Sequence, residues 1–133
     1  MTVRASIDAE LSRLQLLPLN AEQVQCLDDP ARLDEAAAML SDLRDRCAVR
    51  LPLPQGADLA GPLGSEDEAR EVAQSRASEH PVVVVDEMAT DSSRSMGGGN
   101  EFYVTAFAGE AAALALAEAD NYVALWAGGQ ERL

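Results

Sequence analysis

Lysine does not occur in the sequence, and all ten basic residues are arginine. Against 23 acidic residues they leave a net charge of −13. Phosphate binding needs a cationic footprint, so direct nucleic-acid binding is excluded as the expected activity, and an anionic membrane surface is disfavoured for the same reason. Histidine occurs once, at His80. That excludes a multi-histidine metal site and leaves any imidazole chemistry to a single ring. Cys26 and Cys47 are too few for a disulfide framework and do not have C-x-x-C spacing. They are expected to be buried free thiols that pack as small hydrophobes. No run approaches the ~18 apolar residues of a membrane span. The opening MTVRASIDAE lacks the apolar stretch of a secretory signal. Together these give the expectation of a cytoplasmic protein. Isoleucine is nearly missing as well, with Ile7 alone; with the absent lysine and abundant alanine, this points to a GC-rich bacterial or phage genome.

What is present fits one domain over residues 1–133, at 47% hydrophobic. Residues 1–50 read as a helical layer. Ser6 is placed to cap a helix carrying Ile7, Leu11, Leu14 and Leu17, with Pro18 beyond its end. Asn20 and Gln23 form a capping-box pattern, and Asp29 before Pro30 is a further start signal. A stripe of Leu33, Ala36, Ala37, Leu40, Leu43 and Cys47 then follows the helical period. Residues 51–64 form a Pro/Gly-rich connection, with a short extended edge expected near Val49 to Leu51.

Residues 65–133 read as helix, strand, strand, helix. Ser65 and Glu68 open a helix that ends before His80 and Pro81. PVVVVDEM has valine on both faces, and NEFYVTAF alternates, so the two predict an antiparallel hairpin over 81–107. From Glu110 to Ala127 the chain is apolar on nearly all sides and predicts a buried C-terminal helix, which would also serve as a homo-oligomer contact. The fold class expected is α+β: N-terminal helices packed with a small antiparallel sheet and that last helix.

Three stretches carry candidate chemistry. The first is the loop between the two strands. Arg94 to Gly99 reads R-x-x-G-x-G and in this resembles the pyrophosphate signature of the acyl-CoA-dependent N-acetyltransferases, which implies an anion cradle built from Arg94, Gly97, Gly98 and Gly99. Glycines of that kind work by opening a helix, whose free N–H groups and dipole face the anion. Here Gly99 is followed by Asn100, Glu101 and a strand pattern, so a hairpin loop is expected, and no cofactor. The second stretch places His80 near Ser92, Ser93 and Ser95, with Asp86 or Asp91 to orient a ring. No G-x-S-x-G elbow accompanies them, so a solvent-facing helix cap is expected and no catalytic residue is assigned. The third is the acidic surplus: Glu66, Asp67, Glu68 and Glu71, then Asp86, Glu87 and Asp91. Asp86, Glu87 and Asp91 do not have a calcium-loop spacing, so no metal is expected.

Clustered carboxylates of this density imitate nucleic-acid phosphates or dock on arginine- and lysine-rich surfaces. The expected function is therefore a small acidic, non-enzymatic inhibitor of the immunity or phage anti-defence type. It would occupy a basic surface of a nucleic-acid-handling protein through those seven residues. Two other classes stay open: a small enzyme or ligand-binding domain using loop 92–99, and an oligomeric structural subunit.

Overall fold

The structure, a computed structural model, describes residues 2–88 and 100–132. The fold is α+β. Among the described residues the helices are α1 (Val3–Arg13), α2 (Ala21–Asp28), α3 (Leu33–Cys47), α4 (Glu66–Arg76) and α5 (Gly109–Ala117). The strands are β1 (Ala57–Leu63), β2 (Val82–Met88), β3 (Glu101–Phe107), β4 (Ala124–Ala127) and β5 (Gln130–Glu131). They form one antiparallel sheet in the order β1-β3-β2-β4-β5. The chain divides into two compact units: Met1–Gln55 with Ala108–Glu118, and Gly56–Phe107 with Ala119–Leu133. No helix among the described residues is long and apolar enough to cross a membrane.

The first unit is helical. The cap of α1 is Thr2, whose hydroxyl accepts from the Ala5 N–H at 3.0 Å. The helix thus starts upstream of the predicted cap Ser6, because an equivalent hydroxyl stands earlier in the chain. It also ends at Arg13, and Gln15 takes a left-handed φ of 60°. Leu17 therefore falls outside the stripe and is 88% exposed. Asn20 and Gln23 exchange the two capping-box hydrogen bonds, each 2.9 Å. Asp29 accepts from the Ala31 N–H, and Pro30 opens the 3-10 turn Pro30–Arg32 that leads into α3. The predicted stripe of α3 buries Ala36, Ala37 and Leu40. The core around Ala36 and Leu40 also holds Ile7, Leu11, Leu27, Val49 and Leu114. Glu10 fastens the segment after α3 by accepting the Arg50 N–H at 2.9 Å.

The second unit is built on the hairpin read from the sequence. β2 and β3 pair with Val84 opposite Thr105 and Asp86 opposite Tyr103. All four valines, Val82 to Val85, are fully buried. Burying each such side chain contributes about 1.5–3 kcal/mol. α4 lays Ala69 and Ala73 on the sheet face that carries Val83, Val85, Val104 and Trp126.

Two sequence expectations are corrected here. The C-terminal helix stops at Ala117, and Ala124 to Ala127 form β4 beside β2 instead. A continuous apolar run has no period that separates a buried helix from a strand buried on both faces, and Val123 and Trp126 favour the strand. All four residues of β4 are buried, so the premise of an all-round apolar helix available for oligomer contacts fails over 118–127. The connection 51–64 likewise contains a strand. β1 lies at 57–63, whereas the extended edge was expected near Val49–Leu51. Its place at the sheet edge fits Pro62, which has no N–H to donate, and its register slips twice along β3.

Candidate functional site

Of the acidic residues singled out in the sequence, Glu66, Asp67, Glu68 and Glu87 lie towards one end of the second unit. β1 ends at Leu63, which is paired with Phe102, and Phe102 is paired in turn with Glu87. Ser65 follows immediately and caps α4 by accepting the Glu68 N–H at 3.2 Å. The first turn of α4, with Glu66, Asp67 and Glu68, therefore starts at the sheet end that also holds Glu87 and Glu101. Negative charge is favoured there by the helix dipole. All of Glu66, Asp67, Glu68 and Glu71 are exposed. Arg70 bonds Glu66 at 2.9 Å and Glu131 at 2.5 Å. Asp67, Glu68 and Glu71 meet no arginine among the described residues.

Asp86 and Glu87 point to opposite faces of the sheet, as neighbours on a strand must. Glu87 accepts a hydrogen bond from the Asn100 amide. Asp86 looks into a groove of about 520 Å³ lined by Asp58, Asp86, Glu87, Met88, Tyr103 and Thr105. β3 forms its floor, with Thr105 donating to Asp58 at 3.2 Å and the Tyr103 hydroxyl donating to Glu101 at 2.8 Å. The Tyr103 ring lies against Gly61, where an added Cβ would come within 2.5 Å of the ring. Hydrogen bonding to the Glu101 carboxylate raises the Tyr103 pKa above its ordinary value. Burial pushes the Asp86 carboxyl up.

Several arginines are already engaged within the chain. Arg13, Arg32, Arg44, Arg46, Arg70 and Arg76 each sit within 4.0 Å of a carboxylate. The second unit holds twelve carboxylates against four arginines, a formal excess of eight negative charges. In the first unit, Glu22, Cys26 and Glu35 bring ligand atoms within 4.8 Å of one another. The guanidinium of Arg32 already bonds both of these carboxylates, so the local cation is supplied by the protein. Cys26 is buried and its thiol is pushed up in pKa by desolvation, away from the thiolate a metal would bind. Cys47 is half-buried.

The other sequence candidates are not brought together. His80 is half-buried in the turn before β2, and the strand from Val82 to Asp86 alone spans about 13 Å. Asp86 is thus out of reach of the His80 ring. Asp91, Ser92, Ser93, Arg94, Ser95, Gly97, Gly98 and Gly99 lie outside the described residues. Sequence reading missed Asp58, Met88, Tyr103 and Thr105 as groove residues. The hairpin register already set Tyr103 beside Asp86, but Asp58 came from a stretch read as a connection. No family model, curated protein or solved structure matches this chain.

Proposed function

We propose that the chain is a small acidic, non-enzymatic binding protein, an inhibitor of the immunity or phage anti-defence type. It acts in the cytoplasm by occupying a basic surface of a nucleic-acid-handling protein. The observation that carries this reading is the placement of Glu66, Asp67, Glu68 and Glu87 at one end of the second unit, where β1 leads into α4. Carboxylates grouped on a folded surface present a negative field comparable to that of a phosphate backbone, which steers association with a basic partner.

The test is replacement of Glu66, Asp67, Glu68 and Glu71 by arginine, which changes the local charge by eight units. The wild-type chain is expected to capture a nucleic-acid-binding protein from the source cells and to displace its nucleic acid. Capture should weaken as salt shortens the screening length to below ~8 Å. The reversed variant, shown to be folded by circular dichroism, should lose both capture and displacement. Equal capture by both proteins at every salt concentration would dispose of the reading.

A further inference from the structure

We propose that the groove over β3 seats an arginine side chain of the partner, its guanidinium on Asp86 and its aliphatic stem along Met88 and the Tyr103 ring. This rests on the acidic-docking reading and names the group that the surface would recognise.

Four observations carry it. Among the described residues that line it, the groove has carboxylates and no basic side chain. Asp58 already accepts a hydrogen bond from Thr105, whereas Asp86 has no partner among the described residues. Asp86 is nonetheless half-buried, so its charge is desolvated without compensation. Met88 is 59% exposed, an apolar surface beside the acid that water covers poorly. A side chain that is apolar along its stem and cationic at its tip complements both features.

A metal ion fits less well. Asp58 and Asp86 stand on strands either side of β3, about 10 Å apart by strand spacing. Among the described residues, the three ligands close enough to chelate are Glu22, Cys26 and Glu35, in the other unit. Between the two cationic side chains, arginine is the better match, because its planar guanidinium pairs with a carboxylate through two bonds and stacks on an aromatic face.

The experiment uses the full chain, isotope-labelled, and titrates it with an acetylated and amidated Gly-Arg-Gly-Arg-Gly peptide while the backbone amides are followed by NMR. Shifts should concentrate at Asp58, Asp86, Met88, Tyr103 and Thr105. The same peptide with citrulline in place of arginine should leave them unmoved. Asp86→Asn should weaken the arginine peptide about tenfold, as expected for losing a charge-assisted hydrogen bond. Asp120→Asn, an equal charge change at an exposed turn of the same unit, should weaken it less than twofold. Met88→Arg, which supplies the groove with its own guanidinium at an exposed position, should also weaken it about tenfold. Shifts confined to Glu66–Glu71 would overturn the groove site and leave acidic docking standing. Equal loss in Asp86→Asn and Asp120→Asn, or equal binding of the citrulline peptide, would overturn the groove site as well. No shift anywhere with the arginine peptide would overturn both readings.

Discussion

Trp126 in β4 donates its indole N–H to the side-chain oxygen of Gln74 in α4 at 2.7 Å. This bond joins the helix to the strand that periodicity misassigned, and Trp126 itself is only 2% exposed. Trp126→Ala should therefore cost about 3–5 kcal/mol, the usual range for deleting a large buried aromatic. Trp126→Phe keeps most of the apolar contact and loses the donor. Because Gln74 is exposed and regains water, the loss from that bond should be about 1 kcal/mol. Urea unfolding followed by circular dichroism checks both, and equal costs for the two variants would mean the ring volume is not what β4 needs.

Gly61 and Tyr103 make a second such test. The φ of Gly61 is +138°, and a Cβ there would lie 2.5 Å from the Tyr103 ring. Gly61→Ala should destabilise by about 1–3 kcal/mol through overpacking, with further backbone strain from the positive φ. It should also displace the ring, so the tyrosine fluorescence and the Tyr103 amide shift should change together with the urea midpoint. An alanine variant with unchanged stability and spectra would show that Tyr103 does not rest on β1.

Asp86 gives a prediction of sign. Its carboxyl is raised above the ordinary 3.8 by burial, so the folded protein holds the proton more tightly than the unfolded chain does. The charged form is then a penalty on folding at neutral pH, and the penalty vanishes below the unfolded pKa. Among the described residues, the groups facing Asp86 in the groove, Asp58 from β1 and Tyr103 and Thr105 from β3, bring no cation to offset it. Asp86→Asn should raise the urea midpoint at pH 7, and the gain should disappear below about pH 3.8. A lowered midpoint at pH 7 would show that the carboxylate has a stabilising partner.

Glu10 has the opposite sign. Side-chain hydrogen bonding from Arg13, then the Arg50 N–H, lowers its pKa from 4.5 to about 2. Its contribution to stability is present above pH 4.5 and is lost as the pH falls towards about 2. Glu10→Gln should lower the urea midpoint at pH 7, and the difference from wild type should shrink over that interval. A pH-independent difference would mean that packing, and not the carboxylate charge, is what the variant removes.

The elements legible in the sequence are those with local signals. Asn20–Gln23, Asp29–Pro30 and Ser65 each cap where their side chains can reach a backbone N–H a few residues on. The valine run and the alternation after Asn100 gave the β2–β3 pair, because a hairpin needs only adjacent strands. Two features resisted. Residues 124–127 are apolar at every position, and only their pairing with β2, some forty residues away in sequence, decides for a strand. β1 carries Gly61 and Pro62, which read as breakers until the edge position makes the missing N–H harmless. The groove followed the same division. Asp86 was legible as an acid after a strand, while its neighbours Tyr103 and Asp58 were set by register.

The two units are interleaved along the chain, since α5 belongs with the N-terminal helices while the strands on either side of it, β3 and β4, belong to the sheet. A stop after residue 55 would leave Ile7 and Leu40 without Ala113 and Leu114, and a start at residue 56 would carry those two residues away from the core they complete. Neither half can therefore be obtained by cutting the chain once. A fragment carrying the helical unit would have to be made by joining Gln55 to Ala108 through a new linker.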